Sequence, residues 1–169
     1  MILLITGPAN VGKSTVAKTL AKRRRAIHIE VDTLRHFIVD DEYRRAKDFQ
    51  YALNHSNVLS LLRNYEECAM DVIVTDISSD PETHSARMED YRRIAPTVSV
   101  MLNCRKELLE NDRNKYGPGF MSDRVEMLHQ AFQGHNEAYD LVLDTSDMTA
   151  EQVVNTIDQF WTGGVNRDA

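Results

Sequence analysis

Apolar residues open the chain without interruption: Ile2-Leu3-Leu4-Ile5 runs into Thr6 and stops at Gly7-Pro8, the pattern of a strand buried on both faces. From residue 13 to about residue 24 the period changes. Val16, Ala17, Leu20 and Ala21 recur at helical spacing, and Lys and Arg gather toward the end, where the helix dipole favours cations. Residues 26–31 predict a second strand, after which Asp32-Thr33 offers a helix cap ahead of Leu34, Phe37 and Ile38. Residues 43–70 predict one or two helices that bury Leu53, Val58, Leu61 and Leu62. A third strand over residues 72–75 ends in Asp76, a helix covers 81–94, and a fourth strand covers 97–102. Helix is predicted from Lys106 to about Lys115, is broken by Tyr116-Gly117-Pro118-Gly119, and resumes over 122–132. Residues 139–143 form the fifth strand, and Thr149-Ala150-Glu151 opens a last helix reaching about Trp161. Residues 163–169 read as a frayed tail.

Five strands alternating with helices call for a parallel sheet covered on both faces, an α/β domain. With 169 residues, no internal repeat and no linker, the expectation is one domain over 1–162. Hydrophobic residues make up 42% and charged residues 27% of the chain, which sets disorder aside. A net charge of −6 argues against a dedicated nucleic-acid binder, because phosphate backbones are held by basic surfaces. Cys68 and Cys104 lack metal-ligand spacing and suit a reducing, cytoplasmic setting. No stretch approaches the roughly 20 apolar residues that span a bilayer, and the short apolar start lacks a basic leader.

The sharpest local signal is Gly7-Pro8-Ala9-Asn10-Val11-Gly12-Lys13-Ser14, which matches the P-loop at every fixed position. A loop wrapping a phosphate must turn several backbone N–H groups inward, and its glycines permit both the angles and the close approach. The helix starting at Lys13 adds its positive end. Gly7, Ala9, Asn10, Val11, Gly12, Lys13, Ser14 and Thr15 are therefore the candidate nucleotide-binding residues. Lys13 would reach the β and γ phosphates, and the Ser14 hydroxyl would bind magnesium.

The run Asn10-Val11-Gly12-Lys13-Ser14-Thr15 also resembles some GTPases. That class carries Asp-x-x-Gly after its third strand and an Asn-Lys-x-Asp guanine signature. Here Asp76-Ile77-Ser78-Ser79 lacks the glycine, and Asn114-Lys115-Tyr116-Gly117 lacks the aspartate.

The whole chain instead resembles the small P-loop kinases, the group of shikimate, gluconate, nucleoside and adenylylsulfate kinases and chloramphenicol phosphotransferase. Four features carry the resemblance: the P-loop, Asp32-Thr33-Leu34-Arg35 after the second strand, Asp76 after the third, and the charged segment from Glu107 to Lys115 before a glycine-rich break. The closing Tyr139-Asp140-Leu141-Val142-Leu143-Asp144-Thr145-Ser146 and its following helix are similar to the chloramphenicol phosphotransferase-like branch. The resemblance implies a P-loop NTPase three-layer α/β/α sandwich with strand order 2-3-1-4-5 and a short lid over about residues 107–122. It also implies an ATP- and Mg2+-dependent phosphotransferase that moves the γ-phosphate to a hydroxyl of a small molecule.

Within that resemblance, Asp32 stands where the substrate hydroxyl is accepted or oriented; as a plain residue it is also a good helix cap. Asp76 resembles a Walker B acid holding magnesium through water, or else contacts substrate or caps the next helix. Arg35 and His36 are candidate acceptor-pocket residues, against the alternative of a solvated helix face, and Arg44 and Arg45 suit an exposed face better. Arg113 and Lys115 in the lid and, beyond the break, Arg124 are the cations that would reach the transferring phosphoryl group. The family pattern there resembles Arg-Asp-x-x-Arg. Asn111 and Lys115 replace its arginines, and lysine lacks the bidentate fork. The base is implied to lie between the lid's start and Thr145-Ser146-Asp147. Two other functions stay open at this stage: a nucleotide-binding regulator that transfers nothing, and a polynucleotide-end kinase.

Overall fold

The first strand, β1 (Ile2–Thr6), is buried along its whole length because it occupies the middle of the sheet. β3 (Val72–Thr75) pairs with one side of it and β4 (Thr97–Asn103) with the other. β2 (Ile27–Glu30) lies outside β3 and β5 (Leu141–Asp144) outside β4, so the order is β2-β3-β1-β4-β5 and every pairing is parallel. This computed structural model describes residues 1–77, 80–110 and 122–164.

The pleat divides the core into two halves. Leu3 and Ile5 pack with Val16 and Leu20 of α1 (Lys13–Arg24) and with Val153, Ile157 and Trp161 of α8 (Ala150–Gly164). Ile2 and Leu4 point the other way, onto Val58 and Leu62 of α4 (Lys47–Glu67) and Met88 and Tyr91 of α5 (Pro81–Arg92). Each such fully buried aliphatic side chain contributes about 1.5–3 kcal/mol. The result is the three-layer α/β/α arrangement with the expected strand order.

Residues 43–70 make two of the expected one or two helices, since Asp40 caps a short α3 (Asp41–Arg45) through the Glu42 and Tyr43 amides and Ala46 leaves helical angles. Three local departures from the expected elements have physical causes. Val58 and Leu62 are buried, but Leu53 and Leu61 only partly so, and the remaining core position of α4 is taken by Asn54. β5 starts two residues later than its apolar pattern suggests. Tyr139 packs with Met101 and Phe132, and the Asp140 carboxylate accepts from the Ser99 amide (2.7 Å) and hydroxyl (3.0 Å). The last helix continues past Trp161 to Gly164, opened by reciprocal hydrogen bonds between Thr149 and Gln152.

α2 (Val31–Leu34) follows β2 directly and continues into a 3-10 turn over Arg35–Phe37. Its first residue is Val31, so Asp32 lies inside the first turn and is not the cap. α6 (Lys106–Glu110) covers the start of the expected lid, and α7 (Ser122–Ala131) begins at its end. Asn111, Arg113 and Lys115 lie outside the described residues, as does the side chain of Arg124. Among the described residues no helix is long and apolar enough to cross a membrane.

Candidate functional site

The loop leaving β1 sits at the carboxyl end of the sheet, where open α/β sheets place ligands. Gly7 has φ +140°, and a Cβ there would lie 2.2 Å from the Leu102 carbonyl oxygen, so the loop passes hard against β4. Asn10 (φ 67°) and Gly12 (φ 95°) are also left-handed, which turns the following N–H groups back toward the loop's interior. α1 begins at Lys13 with no side-chain cap and no acid in its first turn. Its N-terminal N–H groups and the positive end of its dipole therefore face the loop unneutralised. Lys13 folds its ammonium onto the loop, donating to the carbonyls of Gly7 and Pro8 at 2.8 Å each. Burial pulls its pKa down to about 8, against the opposing pull of the Asp32 and Glu30 carboxylates.

Three carboxylates surround this loop, each with a different attachment. The Ser14 hydroxyl donates to Glu30, the last residue of β2, which also has Lys18 at 3.9 Å. Asp76 directly follows β3, and its carboxylate is engaged by Arg87 of α5 and by the Ile77 amide (2.7 Å). The acid that reaches Ser14 is thus that of Glu30, while α5 is capped by Asp80, not Asp76. Asp32 is half exposed and holds Arg35 by one contact of 3.4 Å.

Beyond Asp32, α2 packs on α4 and α4 on α5. Arg35 turns inward over the Tyr51 ring of α4, 5.1 Å from its centroid, whereas His36 is exposed. Arg87 approaches the same group from α5. Burial lowers its pKa, with Tyr91 opposing and the nearby Arg35 charge adding to the shift. Arg44 and Arg45 are exposed on α3. Neither Glu30 nor Arg87 was singled out from the sequence. A Glu closing the second strand, on the same sheet end as the P-loop, was the available signal for the first; Arg87 had none, being one basic residue on a helix.

A second opening of about 280 Å³ lies on the other side of the loop, lined by Val11, Gly12, Thr15, Cys104, Thr145 and Met148 among others. The turns after β4 and β5 close it. The Thr145 amide and hydroxyl both donate to the Asn103 carbonyl (2.8 and 3.0 Å), and Arg105 pairs with Asp147 at 2.8 Å. The Asn10 side-chain amide donates to the Leu109 carbonyl at 3.2 Å and so ties the phosphate loop to α6.

With this geometry in hand, residues 3–113 match the family described as AAA domain, well over half the chain. The chain belongs to that family. No curated protein matches the sequence. Solved structures similar to this AAA domain over nearly its full length include those of kinases and a resistance protein. The tunicamycin resistance protein of Deinococcus radiodurans is 21% identical with a TM-score of 0.71, over 95% of this chain and 94% of that one. A gluconokinase from Sinorhizobium meliloti 1021 is 16% identical with a TM-score of 0.71, over 99% and 97%. The shikimate kinase of Bacteroides thetaiotaomicron is 17% identical with a TM-score of 0.69, over 96% and 98%. At these identities the likeness is one of fold: this chain has the fold of the P-loop kinases.

Proposed function

We propose that the protein is an ATP-dependent phosphotransferase that moves the γ-phosphate to a hydroxyl of a small molecule. The observation that carries this reading is the half-exposed Asp32 carboxylate in the first turn of α2, directly after β2, whose charge opposes the burial-driven shift of Lys13. A P-loop that only bound nucleotide would need no such carboxylate in front of its lysine.

In this reading the N–H groups of residues 9–15 hold the β and γ phosphates and Lys13 neutralises them. The Ser14 hydroxyl and Glu30 carboxylate are hard oxygen donors, which suits Mg2+, an ion that keeps several waters and shares phosphate oxygens. When bound there, Mg2+ supplies charge neutralisation on the triphosphate. Asp76, engaged with Arg87, serves the cleft wall. Asp32 orients the acceptor hydroxyl and accepts its proton. The opening beside Cys104 and Met148 receives the base, and Arg113 and Arg124 supply positive charge to the transferring group. The setting proposed is cytoplasmic.

A panel of hydroxyl compounds offered with labelled ATP tests the proposal, with Asp32→Asn beside the wild type. The expected result is a phosphorylated product in the wild type, with nucleotide binding retained and acceptor-stimulated turnover lost in the variant. Equal turnover in both proteins would remove Asp32 from the mechanism. Tight nucleotide binding with no acceptor phosphorylated would select a nucleotide-binding regulator instead.

A further inference from the structure

A separate opening of about 400 Å³ runs along one flank of α5 and shares no residue with the phosphate loop. His84, Met88 and Arg92 line it at four-residue spacing, so they stand in one row on that helix. Ala138, the last residue of a 3-10 turn over Asn136–Ala138, lines it from a second element. His84 is fully buried, its ring lies 4.4 Å from the Tyr139 ring, and neither ring nitrogen has a hydrogen-bond partner. Burial lowers its pKa, with Asp140 opposing and Arg92 adding, so at pH 7 the ring is neutral and carries one donor and one acceptor. The Ala138 backbone also opposes that shift, without completing a hydrogen bond. Polar atoms left unpaired in such a place are unfavourable, and an apolar side chain would not incur that cost. At the other end of the row Arg92 is 54% exposed, and its ion pair with the Asp140 Oδ1 is loose at 3.5 Å. Asp140 is committed elsewhere, its Oδ2 accepting from the Ser99 amide and hydroxyl. Arg93, also on the rim, is held by Glu89 at 2.6 Å and Asp90 at 2.9 Å. Of the cations here, Arg92 is the one with donors to spare.

We propose that this groove is a second ligand site, for a small organic anion that carries a hydrogen-bonding ring. The anionic group meets Arg92, the ring edge meets the His84 imidazole, and Met88 and Ala138 supply apolar contact between them. Eight residues of helix separate the two polar ends, about 12 Å, so a bare inorganic ion reaches only one of them. The volume falls within the roughly 300–1,000 Å³ of small-molecule sites. A carboxylate or phosphate draws Arg92 off Asp140 because a charge-assisted fork replaces one 3.5 Å contact. The imidazole torsion is broad, so the ring turns toward the opening at little cost and gives its donor or acceptor a partner. None of these residues takes part in the phosphotransfer proposed above, so the two readings stand or fall separately.

Calorimetry on the whole chain tests the site, with Mg2+ and one equivalent of a β,γ-imido ATP analogue present to fill the phosphate loop. AMP is the probe with both ends; ribose 5-phosphate supplies only the anion and adenosine only the ring. AMP is expected to bind on the order of 10-fold or more tighter than either fragment. Arg92→Gln should weaken AMP on the order of 10- to 100-fold, the range of a lost charge-assisted hydrogen bond, and leave adenosine unchanged. His84→Leu should weaken AMP and adenosine and leave ribose 5-phosphate unchanged. No AMP heat in the wild type, or fragments as tight as AMP, would overturn the proposal. Equal AMP binding in wild type and both variants would assign the heat to the acceptor side or the phosphate loop and overturn it too. Without ligand, His84→Leu should melt no lower than the wild type, because leucine leaves no polar atom unpaired. A lower midpoint, or failure to fold, would show that the fold itself satisfies the ring and would remove His84 from the site; the exposed Arg92→Gln variant then decides whether the groove binds the anion.

Discussion

Replacing Gly7 by alanine separates two demands that a P-loop glycine meets. The first is backbone angle: at φ +140° an alanine is strained by about 1–3 kcal/mol. The second is space. The new Cβ would lie 2.2 Å from the Leu102 carbonyl oxygen and 3.2 Å from its carbon. That is short of ordinary contact by roughly 1 Å. The obstructing atom is backbone, on a strand paired with both β1 and β5, so it cannot yield as a flexible side chain would. Overpacking of this kind adds about 1–3 kcal/mol. The sum is about 2–6 kcal/mol, a large part of the 5–15 kcal/mol typical of a domain. Gly12 is the control, being also left-handed at φ +95° but with nothing within 4 Å of its would-be Cβ, so only the angular strain applies. For a domain of this size about 1 kcal/mol moves Tm by roughly 2–4 °C. Gly7→Ala should therefore lower Tm by about 4–24 °C and Gly12→Ala by about 2–12 °C, with the Gly7 variant lower in the same urea or thermal titration. Equal losses, or a larger loss at Gly12, would show that close packing against β4 is not what Gly7 is needed for.

Lys13, brought down to about 8 from 10.5 by burial, should take up a proton when phosphates arrive and restore its charge. Nucleotide binding between about pH 8 and pH 10.5 should then consume up to one proton and weaken as pH rises, whereas below pH 8 the uptake fades. Calorimetry at pH 9 in buffers of different ionisation heat reads this directly, and identical heats would refute it. The same shift penalises folding of the empty protein below about pH 8, where the unfolded chain binds the proton more tightly. That penalty falls away as pH rises through 10.5, so apo stability from Lys13 should increase over that window. Glu30→Gln should raise the magnesium concentration needed for half-maximal turnover by on the order of 10-fold while leaving nucleotide affinity less affected; an unchanged magnesium dependence would separate Glu30 from the ion.

The P-loop, the strand count and the helix alternation were legible because each is local. A buried strand, a glycine-spaced turn and a 3.6-residue period can all be read within a dozen residues. What stayed hidden depends on partners far along the chain. The late start of β5 follows from Tyr139 packing with Met101 and Phe132 and from Asp140 bonding Ser99, 41 residues away. Glu30 gains meaning only when β2 ends beside Ser14, and Arg87 only when α5 brings it to Asp76. The reading of Asp32 as a helix cap missed because Val31 could close a strand as readily as open a helix, and only the sheet's edge decides between them. Asn54 defied its pattern altogether: an amide occupies a core-facing position where spacing alone asked for an apolar side chain.

The two carbonyls that hold Lys13 set a threshold for what the loop accepts. Gly7 and Pro8 already give the ammonium two good acceptors at 2.8 Å. A ligand with a single diffuse charge, such as acetate or chloride, exchanges those bonds for little better and gains almost nothing. Only a ligand that offers several phosphate oxygens at once draws the lysine away and fills the open helix terminus in the same step. On the proposed function, the loop's internal contacts would keep the site available for polyphosphate in a solution crowded with small anions.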